Sequence, residues 1–340
     1  MRYRPGDKRP TIRDVALVAG VSRGTVSRVL NGADRVSPHA LAAVEKAIKL
    51  TGYTANHAAR SLALGRSNTV AFLLTEPQHL LFEDPTFARL MGGCTQVLAQ
   101  HGILLTLVTA GTPADRERAV GYLGGRHVEG VLLVSSHAGN PITDDLLAAG
   151  VPTVVCGRFP GLESRLSMVG ADDIDGGRQM TAHLIARGAS RIATITGPMD
   201  TPGGSQRLDG YQQALRAAGL PVLPQLIQHG DYTRASGADA MRKLLAGTPD
   251  LDGVFAASDL MAAGALSVLR EAGRRVPDDI LVGGFDDAGV AETLEPSLTT
   301  MRQPFDRISG EMVRLLLARI AGEGDATVTL PTTLIRRESA

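Results

Sequence analysis

The stretch from Thr11 to Gly32, TIRDVALVAGVSRGTVSRVLNG, constrains the fold of this chain more than any other segment. Its spacing predicts two short helices joined by a tight turn. Thr11 is placed to cap the first helix, Ile12, Val15, Ala16 and Ala19 recur at helical spacing, and Gly20 supplies a left-handed stop. Ser22 is placed to cap the second helix, which Thr25, Val26, Val29 and Leu30 carry to Gly32. A pair of helices joined this way forms a helix-turn-helix, in which the second helix enters the DNA major groove with its first residues at the base edges. The same spacing suits an ordinary αα-hairpin, so periodicity alone does not decide between them.

Charge separates the two readings. Residues 1–66 carry twelve Lys or Arg against four Asp or Glu, a formal +8, while the chain as a whole holds 35 of each sign. The remaining residues therefore carry −8, and a neutral total conceals a basic head on an acidic body. A basic head suits a polyanion, because neutralised phosphates supply much of the affinity for DNA. A solvated or disordered tail would account for Arg2, Arg4, Lys8 and Arg9, but not for the patterned part.

A third helix follows. Ser37-Pro38 reads as a cap with proline at the first helical position, Leu41, Val44, Ala47, Ile48 and Leu50 form an apolar face, and Gly52 ends it. Three such helices can bury one small core. In TIRDVALVAGVS, TVSRVLNG, VSPHALAAVEKAIKLTGY and AARSLALGRSNTVAFLL the head resembles the LacI/GalR family of bacterial transcription regulators. RLDGYQQAL, AASDLMAAGAL, VGGFDD and PSLTTMRQP extend the resemblance over nearly the whole chain.

The body alternates short apolar runs with helix-compatible segments. Val70–Leu74, Ile103–Thr109, Gly130–Val134, Thr153–Cys156, Ile192–Thr196, Gly253–Ala257 and Ile280–Phe285 read as strands, and the rhythm indicates parallel α/β units. The resemblance implies an α/β fold class: an N-terminal all-α helix-turn-helix DNA-binding domain, then two doubly wound parallel-sheet lobes of periplasmic-binding-protein type. The head is expected over residues 1–66, with a hinge helix at about 56–64, and the effector-binding domain over 67–340. Its first lobe is expected at about 67–167 and 301–325, and its second at about 168–300 and 326–338. The chain would cross between lobes near 166–171, 298–302 and 325–328, and the segment TVTLPTTLIRRES would return to the second lobe. A ligand in such a fold binds at the carboxyl ends of the strands.

On this resemblance Arg23, Gly24 and Arg28 occupy the base-reading positions of the second helix. Gly24 departs from the family pattern by offering no side chain, so readout falls to the two arginines, which pair best with guanine. Thr25, Ser27 and Asn31 are expected at phosphates, local backbone bonding being the lesser alternative for Thr25 and Ser27. Asn56 belongs to the hinge, and Leu62 matches a leucine that wedges into the minor groove and kinks the duplex. Between the lobes, Arg207 matches an arginine that grips sugar hydroxyls or a carboxylate, and Asp286 a carboxylate that accepts from ligand hydroxyls. Tyr232 falls where an aromatic stacks on ligand or simply lines a core or rim. Arg158 points to the cleft or to the surface. Ser258 replaces a common asparagine, Glu76 follows the first strand, and Phe87 matches an aromatic near the cleft. The segment TEPQHLLFEDPTFARL is longer than the usual family version.

The other function classes find little support. There is no GxSxG, HExxH, P-loop or GxGxxG after a strand, so no catalytic residue is expected. The acids at Asp172-Asp173 read as the N-terminal region of a helix, and those at Asp286-Asp287 as neighbours on a turn that seldom both face inward. No histidine spacing suggests a metal, and no cofactor is expected. Cys94 and Cys156 form no CxxC pair, which with the absence of an apolar leader suggests a cytoplasmic protein. The leading expectation is a sugar-responsive repressor that binds near-palindromic double-stranded operator DNA as a homodimer. A sugar-binding protein without a DNA role is opposed by the basic head, and a sugar-processing α/β enzyme by the missing motifs.

Overall fold

The computed structural model describes residues 10–30, 36–53 and 67–340. Contacts divide the chain into two units, Met1–Ser67 and Asn68–Ala340. Among the described residues the first holds three helices, α1 (Ile12–Ala19), α2 (Arg23–Leu30) and α3 (Pro38–Thr51). At the start of α1 the carboxylate of Asp14 accepts from both the backbone N–H and the hydroxyl of Thr11, at 2.7 and 2.8 Å. Ser22 accepts from the N–H of Thr25 at 3.1 Å, and Ser37 from that of Ala40 at 3.3 Å. Gly20 and Gly52 close α1 and α3 at φ +67°. Each cap satisfies N–H or C=O groups that a helix end leaves orphaned. Val15, Ala16, Val26, Val44 and Ala47 form the buried core. Leu41 and Leu50, expected on the apolar face of α3, are exposed, because so small a core covers only the stripe through Val44 and Ala47. Gly32, the expected end of α2, lies outside the described residues.

The second unit opens with β1 (Thr69–Leu74), α4 (Leu80–Glu83), α5 (Pro85–Gln100), β2 (Leu104–Thr109), α6 (Pro113–Gly124), β3 (Gly130–Val134), α7 (Ile142–Ala148), β4 (Thr153–Cys156) and β5 (Ser167–Ala171). It continues through α8 (Asp173–Ala186), β6 (Ile192–Thr196), α9 (Pro202–Ala217), β7 (Ile227–His229), α10 (Arg234–Gly247), β8 (Gly253–Ala256), α11 (Asp259–Glu271), β9 (Leu281–Asp286), α12 (Val290–Thr293) and β10 (Thr299–Arg302). Then come α13 (Phe305–Ile320), β11 (Thr327–Leu330) and β12 (Thr333–Ile335).

Two six-stranded sheets result, ordered β11-β5-β4-β3-β1-β2 and β12-β10-β9-β8-β6-β7. All pairings are parallel except β10 with β12. Strands β3, β5 and β6 are buried along their whole length, as expected where helices cover both faces of a parallel sheet. In each lobe the order reverses beside the first strand, between β1 and β3 and between β6 and β8, which opens a crevice at the strand ends.

The lobe boundaries differ from those expected. β5 pairs with β4 (Cys156 opposite Val169) and β11 with β5 (Thr327 opposite Met168), so both belong to the first sheet. β10 lies in the second sheet beside β9, with Met301 opposite Phe285. The chain therefore crosses between lobes after Ala171, after Arg302 and after Leu330. Only β12 and the residues beyond it return to the second lobe. The boundaries read from the sequence placed SMVGA and TTMR at connections and assigned TVTL to the second lobe, whereas hydrogen bonding makes SMVGA and TVTL strands of the first sheet and TTMR a strand of the second.

Close helix crossings position the elements of the second lobe. A Cβ on Gly210 of α9 would lie 2.1 Å from the carbonyl oxygen of Ile174, and one on Gly177 of α8 would lie 2.4 Å from that of Arg207. Gly210→Ala should therefore lower the unfolding free energy by about 1–3 kcal/mol through overpacking. Gly92→Ala, where nothing lies within 4 Å of the added carbon, should be neutral or slightly stabilising, and urea titration of both variants checks the pair.

Candidate functional site

Two groups of residues stand out, one on each unit. On α2, Arg23, Gly24 and Arg28 are exposed and Thr25 and Ser27 are half-buried. Thr25 shares a 3.0 Å hydrogen bond with the Ser22 hydroxyl, and the Arg28 Nε donates to the carbonyl of Gly24 at 3.3 Å. An added Cβ on Gly24 would meet only the Ser22 hydroxyl, at 3.7 Å. Packing thus gives no reason for glycine on this open helix face. Asn31, Asn56, Leu62 and the expected hinge helix at about 56–64 lie outside the described residues.

The second group lies where the strand ends of the two lobes meet. The guanidinium of Arg207, on α9, is buried, and its Nε donates to Asp173 Oδ1 at 2.7 Å. Its Nη1 donates to the carbonyl of Ala257 at 2.6 Å and reaches Asp286 Oδ1 at 3.5 Å. The cation also lies 3.7 Å above the ring of Phe285, which adds a cation–π contact. Burial alone would depress its pKa, but the carboxylates of Asp173 and Asp286 more than offset this and hold it above the usual range.

Asp286 and Asp287 both turn inward, contrary to the expectation for neighbours on a turn. Their φ angles are +114° and +54°, in a region that non-glycine residues seldom occupy. The two side chains consequently diverge. Asp286 faces Arg207 and accepts from Gln303 Nε2 at 2.7 Å. Asp287 accepts from Arg302 at 2.6 Å and Arg337 at 2.8 Å. Burial raises the Asp286 carboxyl well above its ordinary value. The two arginines hold Asp287 below its own, against the effect of burial. Such strain persists only where the surroundings over-determine it.

Ser258 caps α11 by accepting from the N–H of Met261 at 3.2 Å. Its neighbour Asp259 accepts from the hydroxyl of Thr300 at 2.5 Å and from the N–H of Ala288 at 3.3 Å, and burial pushes its carboxyl up to about 7. Tyr232 sits at φ +70° against Gly197, where a Cβ would fall 2.1 Å from its ring. Its hydroxyl bonds Thr201 at 3.2 Å and approaches Gly203, as does Nη2 of Arg207, which places Tyr232 beside the cation.

From the first lobe come the ends of β1, β3 and β4 and the start of α5. Glu76 accepts from the Ser135 hydroxyl at 2.6 Å and bonds His137 Nε2 at 2.8 Å. Phe87 is buried in the first-lobe core. Arg158 is half-buried, and its carbonyl accepts from Gln206 Nε2 across the lobes at 2.9 Å. The lobes are also joined by the Arg89 guanidinium on the carbonyl of Asp287 at 3.1 Å and by the N–H of Ala138 on that of Asp200 at 2.6 Å.

Asp84, Asp173 and Gln303 were not singled out for the cleft from the sequence. Asp84 caps α5, accepting from Thr86 at 2.8 Å, and burial raises its pKa while Arg207 draws it down. Both acids lie at the N-terminus of α8 as expected: Asp172 caps it, accepting from the N–H of Asp175 at 3.1 Å, and Asp173, in its first turn, also pairs with Arg207. The available signal was the glycine pair Gly177 and Gly210, which lets α8 and α9 approach closely enough for Asp173 to meet that cation.

Removing Arg207 leaves buried carboxylates without their cation. Arg207→Ala should destabilise the second unit by about 3–5 kcal/mol near neutral pH. The loss should shrink as acid protonates Asp286, whose carboxyl is held well above its ordinary value by burial and whose neutral form needs no counter-charge. Thermal unfolding at both pH values checks this, and an unchanged midpoint at neutral pH would contradict it.

Residues 11–56 match the family described as bacterial regulatory proteins, lacI family, and residues 181–340 match a periplasmic binding protein-like domain. Over 335 residues the chain is 49% identical to the HTH-type transcriptional regulator CelR of Thermobifida fusca, with 98% of each chain covered. A solved CelR–cellobiose complex superposes with TM-score 0.79 at 47% identity, covering 98% of this chain and 100% of that one. The lac repressor dimer bound to operator and the anti-inducer ONPF superposes with TM-score 0.87 at 27% identity, covering 98% and 99%. Among the described residues no helix is long and apolar enough to cross a membrane. A helix-turn-helix head joined to two parallel-sheet lobes, with relatives matching along nearly its whole length, establishes that the chain belongs to the LacI family of bacterial transcription regulators.

Proposed function

We propose that this protein is a repressor that binds a near-palindromic operator as a homodimer, and that its effector is a β-linked glucose disaccharide of the cellobiose type. The observation that carries the effector reading is the cluster of carboxylates around one cation between the lobes. Asp173 and Asp286 pair with Arg207, and Asp84 lies near enough to feel its charge. An excess of acceptors over donors disfavours an anionic ligand and suits a neutral one rich in hydroxyl donors. Tyr232 offers an aromatic wall beside that cation. The close similarity to a regulator solved with cellobiose supports the disaccharide in particular.

Arg207 and Asp286 are the residues assigned to ligand hydroxyls, with Glu76 and Arg158 on the first lobe and Tyr232 on the second. Ser258 acts mainly by capping α11, and Phe87 by packing behind the cleft. On the head, Arg23 and Arg28 read bases, Thr25, Ser27 and Asn31 position the helix on phosphates, and Gly24 leaves one base edge unread. Asn56 and Leu62 are assigned to the hinge, with Leu62 the minor-groove wedge. No cofactor takes part in this reading.

A mobility-shift assay on duplex promoter fragments tests the whole. Cellobiose should change operator affinity by about tenfold or more, within the usual range of coupling between two sites. Absence of duplex binding at low salt, with or without sugar, would overturn the proposal. Arg28→Ala should lose about 1–3 kcal/mol on the cognate operator and relax specificity at one base pair. An equal loss on every sequence would instead assign Arg28 to the phosphate backbone.

A further inference from the structure

The turns after β1 and β3 of the first lobe and the turn after β6 of the second meet at His137. We propose that His137 is a charged latch between the lobes, its imidazolium joining Glu76 of the first lobe to Asp200 of the second and holding the cleft shut. Its Nε2 lies 2.8 Å from Glu76 Oε1, and its Nδ1 lies 2.9 Å from Asp200 Oδ2. A neutral imidazole has one N–H and one lone pair, and the lone pair would face a carboxylate unfavourably. Only the doubly protonated ring satisfies both contacts. The N–H of Ala138 donates to the carbonyl of Asp200 at 2.6 Å, so backbone and side chain tie the lobes at the same point. The Ser135 hydroxyl, at φ +54° after β3, holds Glu76 in place from below.

The charged groups facing the ring are Glu76, from the turn after β1, and Asp200, from the turn after β6. Glu76 does most to push the imidazole up to about 9, burial opposes it, and Asp200 adds to the rise. Glu76 stays beside the ring when the lobes part, so opening removes only the contribution of Asp200. The ring is therefore cationic near neutral pH and the latch engaged. A raised pKa in the closed form means that its contribution is complete below the open-form value and is lost as pH rises through about 9.

Amide exchange at Ala138 in the ligand-free chain reads closure directly. Asp200→Ala keeps the backbone carbonyl but removes the carboxylate, which is half-exposed, so the variant should fold as the parent does. Its Ala138 protection factor near pH 7 should fall about three- to tenfold. In the unaltered chain the same fall should occur between about pH 7 and pH 10, and Asp200→Ala should show no such fall. His137→Gln should behave as Asp200→Ala does. Equal protection in the parent and Asp200→Ala near pH 7, or identical pH profiles, would overturn the latch. The cellobiose arm of the test rests on the effector reading: affinity for cellobiose should weaken by a similar factor in Asp200→Ala. Exchange that responds as stated while cellobiose fails to bind supports the latch and counts against the effector reading alone.

Discussion

The buried ion set of Asp173, Arg207 and Asp286 organises the ligand-binding unit. Arg207 comes from α9, Asp173 from the first turn of α8 and Asp286 from the end of β9, so one cation ties three elements of the second lobe. Buried charges are costly unless paired and hydrogen-bonded, and here the guanidinium also meets the carbonyl of Ala257 and the face of Phe285. The arrangement depends on two glycines. Gly177 and Gly210 let α8 and α9 approach at backbone distance, and a side chain at either would push Asp173 away from the cation. Packing in the lobe and chemistry in the cleft are therefore one problem.

Much of the architecture was legible because it rests on local rules. The head follows from caps and stops: Ser22, Ser37, Gly20 and Gly52 do what their residue types favour. Seven runs were read as strands, and each contains a sheet strand to within two residues at its ends, since strands buried on both faces are continuous in apolar residues. Five strands, β5, β7, β10, β11 and β12, were not read. TTMR, TVTL and TLI are short and threonine-rich, and only their partners make them strands. The lobe boundaries moved for the same reason.

The site was legible in part. Arg207 and Asp286 came from resemblance, and the structure brings them together. Asp173 was read as a helix-terminal acid because its partner lies 34 residues away. Asp286 and Asp287 were read as neighbours on a turn that seldom both face inward, but two consecutive positive φ angles turn both inward in different directions. Neither feature has a local signature. His137 carried no ligand or catalytic spacing either, and only the meeting of two lobes gives it both carboxylates.

The division of charge along the chain gives the two units different tasks: a basic head suited to phosphates, and an acidic body whose cleft carries several carboxylates around one cation. The central claim is that occupancy of that cleft and occupancy of the head are energetically linked. Such linkage is reciprocal, so the factor by which sugar changes operator affinity must equal the factor by which operator changes sugar affinity. Isothermal titration of cellobiose into the protein, alone and saturated with operator duplex, measures it directly. The account predicts dissociation constants that differ by the same factor found on the DNA side. Identical constants with and without the duplex would contradict it.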